Sequence, residues 1–469
     1  MSSRVLLISA NRCTTPDPVF PLGLAFLNAA LREAGYDTVW VDRLAAPDSL
    51  EETVKSYRPD FIGISLRNID DVLIRQRETF FDELASLGNQ LRRLSTAPIV
   101  LGGSGFSIFP RELLELAGAD FGITGEGEAG FLELLEALVG GKDYRTLPGL
   151  VYRQNGSLTV NPGAANNEYR DLTEADRPAS LTAHYLHTSS MLNIQTQRGC
   201  RFRCCYCTYP VIEGKQNRRR PPDMVAAEFD LLQRQGARYV FIVDSVFNSS
   251  PRHVTEVCEA LLRKGVKLNW GCFLRPQGLT ADLMQLMKRA GLVHVEFGSD
   301  SFCDDVLKAY DKDFTFDEVV RCSRLARDHD IEHCHYLIIG GPGETESTIQ
   351  EGFRNSERLE NAVIMAMVGM RIYPGTRLFE RAVAEGCIRR ETSLLTPAYY
   401  VAPGLSQQSV FAMLQDFAGR SPNWIIGDPT PSYLNLTQRL RARGVAGPLW
   451  SYLSVVQRLW QPNAPARAL

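Results

Sequence analysis

Three cysteines lie close together near the middle of the chain, at Cys200, Cys204 and Cys207. Thiolates are soft ligands that suit iron–sulfur clusters or zinc. A structural zinc site needs a fourth ligand, and Cys205 cannot easily point the same way as its neighbour Cys204. A distant His or Cys could still supply that ligand, and a register through Cys205 also stays open. Three thiolates on a four-iron cluster leave one iron available to a substrate.

The cysteines follow a predicted strand at 192–196, so they stand at its carboxyl end, where barrel enzymes place their active sites. Strands and helices then alternate to about residue 404. The predicted strands are 192–196, 239–243, 268–273, 294–297, 334–339 and 363–372; the helices include 223–235, 251–264, 280–290 and 316–329. Six such units predict a partial (β/α)6 barrel over 189–404.

The first 165 residues also alternate strands with helices, which predicts a doubly wound parallel sheet covered by helices on both faces. The predicted strands are 4–9, 38–41, 61–65, 98–101 and 120–123; the helices are 22–34, 80–94, 111–117 and 129–138. A polar, proline-containing stretch predicts a linker at 166–188. Residues 405–469 form a small, mainly helical C-terminal region with weak signals, including an amphipathic pattern at 450–460.

The cysteine spacing, with Tyr206 before the third cysteine, resembles the signature of the radical S-adenosylmethionine (SAM) superfamily. Further segments match its later strands in order: 243–248, 270–275, 296–301, 337–345 and 372–378, with Asp300 where relatives usually carry Glu. The resemblance implies a [4Fe–4S] cluster on Cys200, Cys204 and Cys207, whose open iron binds SAM and cleaves it to a 5′-deoxyadenosyl radical. The implied SAM contacts are Tyr206, Asp244, Ser245, Ser299, Gly340, Gly341 and Pro342.

The domain order resembles the cobalamin-dependent branch (class B) of this superfamily, nearest to the P-methylases and natural-product methyltransferases. Matching segments are 21–24, 58–65, 99–103 and 120–128. The implied cobalamin contacts are Ser65, Gly102, Gly103, Gly125, Glu126, Gly127 and Glu128. No histidine precedes His184, so this domain offers cobalt no imidazole. We therefore expect the dimethylbenzimidazole to be displaced from cobalt.

Charge and composition limit the classes of binding partner and the cellular compartment that we expect for this chain. A formal net charge of −3 gives no reason to expect nucleic acid. The run 215–220 is rich in arginine and is interpreted by default as a solvated loop, with an anionic substrate or electron donor as the alternative. No apolar run is long enough for a signal peptide or a transmembrane helix. Eleven cysteines indicate a reducing compartment, so we expect a cytoplasmic protein.

The leading hypothesis is a cobalamin-dependent methyltransferase that acts on an unactivated carbon or a phosphinate phosphorus of a small natural-product or lipid-type substrate. Its electrons would come from a reducing partner such as flavodoxin or ferredoxin. The alternative keeps the radical without catalytic cobalamin, in a rearrangement, a cyclisation or aminocarboxypropyl transfer. A non-catalytic cobalamin sensor or an electron carrier is a different class, and an electron carrier has little use for an open iron.

Overall fold

The computed structural model describes residues 3–165, 168–427, 431–453 and 455, without the side chains of 431–433. The chain divides into two compact units. The first comprises Met1–Asp71, Arg77–Thr188 and Thr208–Arg218; the second comprises Val72–Gln76, Ser189–Cys207 and Arg219–Leu469. The segment after the last cluster cysteine therefore belongs to the first unit, which the sequence did not indicate.

The first unit is built on a seven-stranded sheet. Its strands are β1 (Arg4–Ser9), β2 (Asp37–Asp42), β3 (Phe61–Ser65), β4 (Ile99–Gly102), β5 (Phe121–Ile123), β6 (Leu150–Gln154) and β7 (Ser157–Val160), in the order β2-β1-β3-β4-β5-β6-β7. The first five are parallel, and β6 and β7 add an antiparallel hairpin. The strand order reverses between β1 and β3, which is the switch point where open α/β sheets bind ligands.

Helices cover this sheet: α1 (Leu22–Glu33), α2 (Leu50–Tyr57), α3 (Phe81–Leu94), α4 (Ser104–Ile108), α5 (Pro110–Ala117), α6 (Gly127–Gly140), α7 (Ala179–Ser189) and α8 (Tyr209–Ile212). Strand β1 is apolar at consecutive positions because both of its faces are covered. At Gly63 a Cβ would lie 3.1 Å from a Leu7 methyl and 3.2 Å from the Phe131 ring. Glycine at this position therefore lets α6 pack tightly on the sheet.

The second unit contains a seven-stranded, all-parallel sheet in the order β18-β15-β14-β13-β12-β11-β8. The remaining strands of the chain follow the first sheet in sequence. They are β8 (Leu192–Ile194), β9 (Gln197–Arg198), β10 (Arg218–Arg219), β11 (Tyr239–Ile242), β12 (Asn269–Leu274), β13 (Leu292–Asp300), β14 (Glu332–Ile339), β15 (Val363–Val368), β16 (Met370–Arg371), β17 (Tyr399–Tyr400) and β18 (Trp424–Ile426). Six of the seven sheet strands are those expected of a partial barrel.

The helices of the second unit are α9 (Pro222–Arg234), α10 (Pro251–Lys264), α11 (Ala281–Arg289), α12 (Asp304–Ala309), α13 (Phe316–Asp328), α14 (Glu346–Ser356), α15 (Arg377–Ala384), α16 (Gln407–Arg420) and α17 (Pro431–Ala442). The C-terminal region contributes the seventh strand, β18. It also brings Trp450 against the start of β13, where the indole N–H donates to Glu296 Oε1 at 3.0 Å. Trp450 and Leu453 also pack in one apolar cluster with Cys334 and Val363, which lie near the starts of β14 and β15.

Several elements of the fold differ from the sequence predictions. Helix α2 and the hairpin β6–β7 were not predicted, since both are short and partly exposed. The predicted linker at 166–188 contains most of helix α7. The amphipathic helix expected at 450–460 lies largely outside the described residues. Within the part of the chain that the structure describes, no helix is both long and apolar enough to cross a bilayer.

Candidate functional site

The three predicted cluster cysteines share one loop that begins at the carboxyl end of β8. Gly199 opens the loop with a φ of +81°, a conformation that favours glycine. The Cys207 N–H donates to the Cys204 carbonyl at 3.2 Å, which folds the second half of the loop into a tight turn. Cys200 is buried, Cys204 and Cys207 are half-buried, and none of the three forms a disulfide.

Asp244 holds the backbone that leads into this loop. Its carboxylate accepts the Thr196 N–H at 2.6 Å and the Thr196 hydroxyl at 2.5 Å. It also accepts the Gln197 N–H at 3.2 Å, and His253 Nε2 lies 2.9 Å from the same hydroxyl. The predicted nucleoside contact at Asp244 is thus a fully buried group whose two oxygens fix the start of the cysteine loop.

Cys200 is surrounded by hydrogen-bond donors and a positive charge. Burial raises the pKa of its thiol, and hydrogen bonds from the Phe202 backbone and the Ser245 side chain and the charge of Arg275 offset only part of that rise. The Ser245 hydroxyl also donates to the Gly199 carbonyl at 3.2 Å. No three His, Cys, Asp or Glu side chains of the described residues converge on a single ion. A [4Fe–4S] cube needs no such convergence, because each thiolate binds a different iron, so the donor set fits the cluster.

Cys205 is held apart from its cysteine neighbours. Its N–H donates to the Tyr310 carbonyl at 3.1 Å, and its own carbonyl accepts the Leu378 N–H at 2.8 Å. The side chain is buried, and burial raises the pKa of its thiol to about 12. This environment is typical of a structural cysteine.

Tyr206, the predicted adenine neighbour, belongs to a buried polar cluster. Its hydroxyl donates to Asp300 Oδ2 at 2.5 Å, and Lys312 forms an ion pair with the same carboxylate. Burial lowers the pKa of Lys312, but the charges of Asp300 and Cys204 and the hydrogen bond to Asp300 together outweigh that effect, so the pKa is raised. Asp300 has a φ of +60°, an uncommon conformation for a residue other than glycine. Sequence analysis noted Asp300 but missed Lys312, which no motif marks.

The other predicted SAM residues lie at the carboxyl ends of β13 and β14. Ser299 is buried, with its hydroxyl oxygen 2.8 Å from His335 Nδ1. The turn at Gly340, Gly341 and Pro342 is held by Glu344, whose carboxylate accepts the N–H groups of both glycines. Burial raises the pKa of Glu344 to about 7, although these hydrogen bonds lower it.

The predicted cobalamin residues meet at one edge of the first unit. Ser65 and Gly102 are paired at the ends of β3 and β4, and residues 125–128 follow β5. Gly103 has a φ of +102°, and a Cβ there would lie 2.5 Å from the Leu66 carbonyl oxygen. A Cβ on Gly127 would meet nothing within 4 Å. Glycine at 103 is therefore required by the Leu66 backbone, whereas the turn at Gly127 borders open space that leaves room for a ligand.

Two of these residues carry acidic side chains, and both are enclosed by protein. Glu128 is buried. Glu126 forms an ion pair with Arg218: Arg218 Nη1 lies 2.8 Å from Oε2, and Nη2 also donates to Oε1 and to the Glu213 carbonyl. Both partners are more than nine-tenths buried. The carboxylate of Glu126 therefore holds the segment after the cysteine loop.

The default interpretation of 215–220 as a solvated run is wrong for two of its arginines. Arg218 pairs with Glu126, and Arg220 is fully buried against Glu228 at 2.6 Å. Each guanidinium is withdrawn from solvent because a buried carboxylate compensates its charge. The Arg218 partner lies 92 residues away along the chain, so local sequence carried no signal for it.

Two protein-family models match this chain, one mainly in each of its two units. The family model described as "Radical SAM superfamily" matches residues 194–354, and the one described as "B12 binding domain" matches residues 9–135. The chain is 25% identical over 450 residues to a tryptophan 2-C-methyltransferase of Streptomyces laurentii, covering 82% of this chain and 75% of that protein.

Two further similarities bear on fold and chemistry. An anaerobic magnesium-protoporphyrin IX monomethyl ester cyclase of Rubrivivax gelatinosus is 25% identical over 349 residues, 71% of this chain and 61% of that protein. The structure of a radical SAM methyltransferase, TsrM, from Kitasatospora setae, with cobalamin and a [4Fe–4S] cluster bound, matches with a TM-score of 0.85 and 23% identity over 99% of this chain and all of that one. At this identity the structural match establishes the fold.

Proposed function

We propose that the chain, which joins a match to the B12-binding domain to a match to the radical SAM superfamily, is a cobalamin-dependent radical SAM enzyme that methylates an unactivated carbon or a phosphinate phosphorus of a small molecule. Its cofactors are a [4Fe–4S] cluster, SAM and cobalamin. The observation that carries the proposal is the loop after β8 that holds three cysteines outside any disulfide, in a chain whose other unit matches the B12-binding domain.

When bound, the cluster and SAM supply a 5′-deoxyadenosyl radical, and cobalamin supplies the methyl group. The chain's own residues hold the site in place. Asp244 fixes the entry of the cysteine loop through Thr196 and Gln197, and Ser245 hydrogen-bonds within it. The assignment of individual SAM and corrin contacts remains part of the proposal.

The substrate class rests on sequence resemblance and on the names of relatives. One relative is a tryptophan 2-C-methyltransferase, and tryptophan is a small molecule. This similarity supports a small substrate for the present chain. We propose a natural-product or lipid-type molecule, and a flavodoxin or ferredoxin as the electron donor. The domain boundaries proposed for the enzyme are 1–165, 166–188, 189–404 and 405–469.

A second candidate is a radical cyclisation or rearrangement. The observation in its favour is the similarity to a ring cyclase, although this chain covers less than two thirds of that protein. Such an enzyme would cleave SAM without delivering its methyl group to the substrate.

The test separates these candidates. The protein is reconstituted anaerobically with and without hydroxocobalamin and desalted, and its visible spectrum is recorded. Reduced protein is then assayed with SAM for 5′-deoxyadenosine and, with methyl-labelled SAM and candidate substrates, for label in the product. Retained corrin and labelled product support the methyltransferase. Formation of 5′-deoxyadenosine by protein that retains no corrin rejects it in favour of a rearrangement or cyclisation.

A further inference from the structure

Asn11 is a buried amide at the switch point of the first unit. It follows the end of β1 by two residues, and the neighbouring Ala10 N–H donates to the Ser65 carbonyl at 3.0 Å. Asn11 therefore stands beside the end of β3, where the strand order reverses and where ligands bind in this class of sheet.

The side chain of Asn11 has no partner within the described residues. It is only 4% exposed, yet neither Nδ2 nor Oδ1 makes a hydrogen bond. A buried amide that is left unpaired costs free energy, so native proteins rarely keep one without a role. An apolar side chain of the same size, such as Leu, would avoid that cost.

Asn28, in the same unit, is a buried amide that is only half satisfied. Its Oδ1 also makes no hydrogen bond within the described residues, but its Nδ2 donates to Asp176 Oδ1 at 2.9 Å and to the Ala175 carbonyl at 3.4 Å. Its donor group thus has protein partners that tie α1 to the segment before α7. Asn11 lacks any such partner, which points to a ligand as the group that satisfies it.

We infer that Asn11 is a corrin-binding residue that pairs with a peripheral carboxamide of cobalamin. A primary amide carries one acceptor oxygen and an N–H donor pair, so two amides can exchange two hydrogen bonds. The corrin ring bears several primary carboxamides, which makes it a matching partner. This inference rests on the proposed cobalamin dependence and adds a residue that neither the motif nor its spacing marked.

The experiment uses the full-length protein and titrates hydroxocobalamin by absorbance, alongside thermal unfolding of the corrin-free protein. Asn11→Leu is expected to weaken corrin binding by roughly 10-fold or more, from the loss of two neutral hydrogen bonds. The corrin-free variant should unfold at the same or a higher temperature, because the unpaired amide is gone. Asn11→Ala repeats the test without added bulk.

Asn28→Leu is the matched control: it should lower the unfolding temperature and leave corrin affinity unchanged. A structural or water-satisfied Asn11 would give the reverse pattern, with reduced stability or unchanged corrin affinity in Asn11→Leu and Asn11→Ala, and either result overturns the inference. Cobinamide, which lacks the nucleotide tail, should show the same fold-loss as hydroxocobalamin. A loss confined to hydroxocobalamin would assign the contact to the tail and reject the carboxamide. If the wild-type protein binds no corrin, the proposed function itself fails.

Discussion

The buried ion pair between Arg220 and Glu228 gives a quantitative test of how the start of the barrel is held. Both side chains are 1% exposed, and Arg220 Nη1 lies 2.6 Å from Glu228 Oε2 and 2.8 Å from the Gln195 carbonyl. The Arg220 N–H also donates to the Thr196 carbonyl. The pair therefore ties helix α9 to the backbone that enters the cysteine loop.

Glu228→Gln leaves the Arg220 charge buried without its counter-charge, which costs about 3–5 kcal/mol. Hydrogen–deuterium exchange followed by mass spectrometry measures this locally, since a loss of that size lowers protection on the order of 10²–10³-fold or more. We expect the loss in peptides from β8 and α9. The double variant Arg220→Met, Glu228→Leu should recover most of it, because an apolar pair needs no compensation.

Glu256→Gln is the control for this prediction. Glu256 pairs with Arg252 on the exposed face of α10, where solvent screens the interaction, so exchange should not change. Unchanged protection in Glu228→Gln, or a double variant as unstable as the single one, would refute the account of this pair.

Three further predictions concern the barrel. Glu344, whose pKa is raised to about 7 in the folded protein, retains a proton between pH 4.5 and 7 that the unfolded chain has lost; stability should therefore fall by about 3 kcal/mol as pH rises through that window. In Glu344→Gln this part of the pH dependence, measured by urea unfolding at several pH values, should disappear. Gly341→Ala places a Cβ 2.3 Å from the hydroxyl of the buried Tyr310 and should cost about 1–3 kcal/mol in urea unfolding, with partial recovery in the Tyr310→Phe background. Trp450→Phe removes the hydrogen bond to Glu296 and should cost about 1.5–3 kcal/mol; an unchanged urea midpoint would show that the C-terminal segment does not stabilise the barrel.

Local pattern was enough to predict most strands of both sheets. Strand β1 and helix α10 begin and end where the sequence indicated, because their apolar periodicity and flanking residues agree. The seventh barrel strand, β18, escaped prediction because it is three residues long and is defined by pairing with β15 rather than by any periodicity.

In the candidate site, too, some features follow from local sequence and others depend on tertiary contacts. The spacing and the resemblance predict Cys200, Cys204 and Cys207 as cluster ligands, and the structure places the three on one loop. The roles of Glu126 and Asp244 could not, because their partners depend on contacts between distant segments. A motif identifies which residues reach a site, whereas tertiary packing decides which of their atoms remain available to a ligand. Asn11 is the converse case, since only its unpaired, buried amide distinguishes it.

The central claim is that Cys200, Cys204 and Cys207 hold a [4Fe–4S] cluster that binds SAM. The most direct test is the iron and sulfide content, with the EPR spectrum of the reduced protein before and after SAM, for Cys→Ala variants of each of these residues and of Cys205. The account predicts loss of the cluster in the three ligand variants, and an intact cluster whose EPR signal changes with SAM in Cys205→Ala. A cluster that survives any of the three substitutions, or is lost with Cys205, would contradict it.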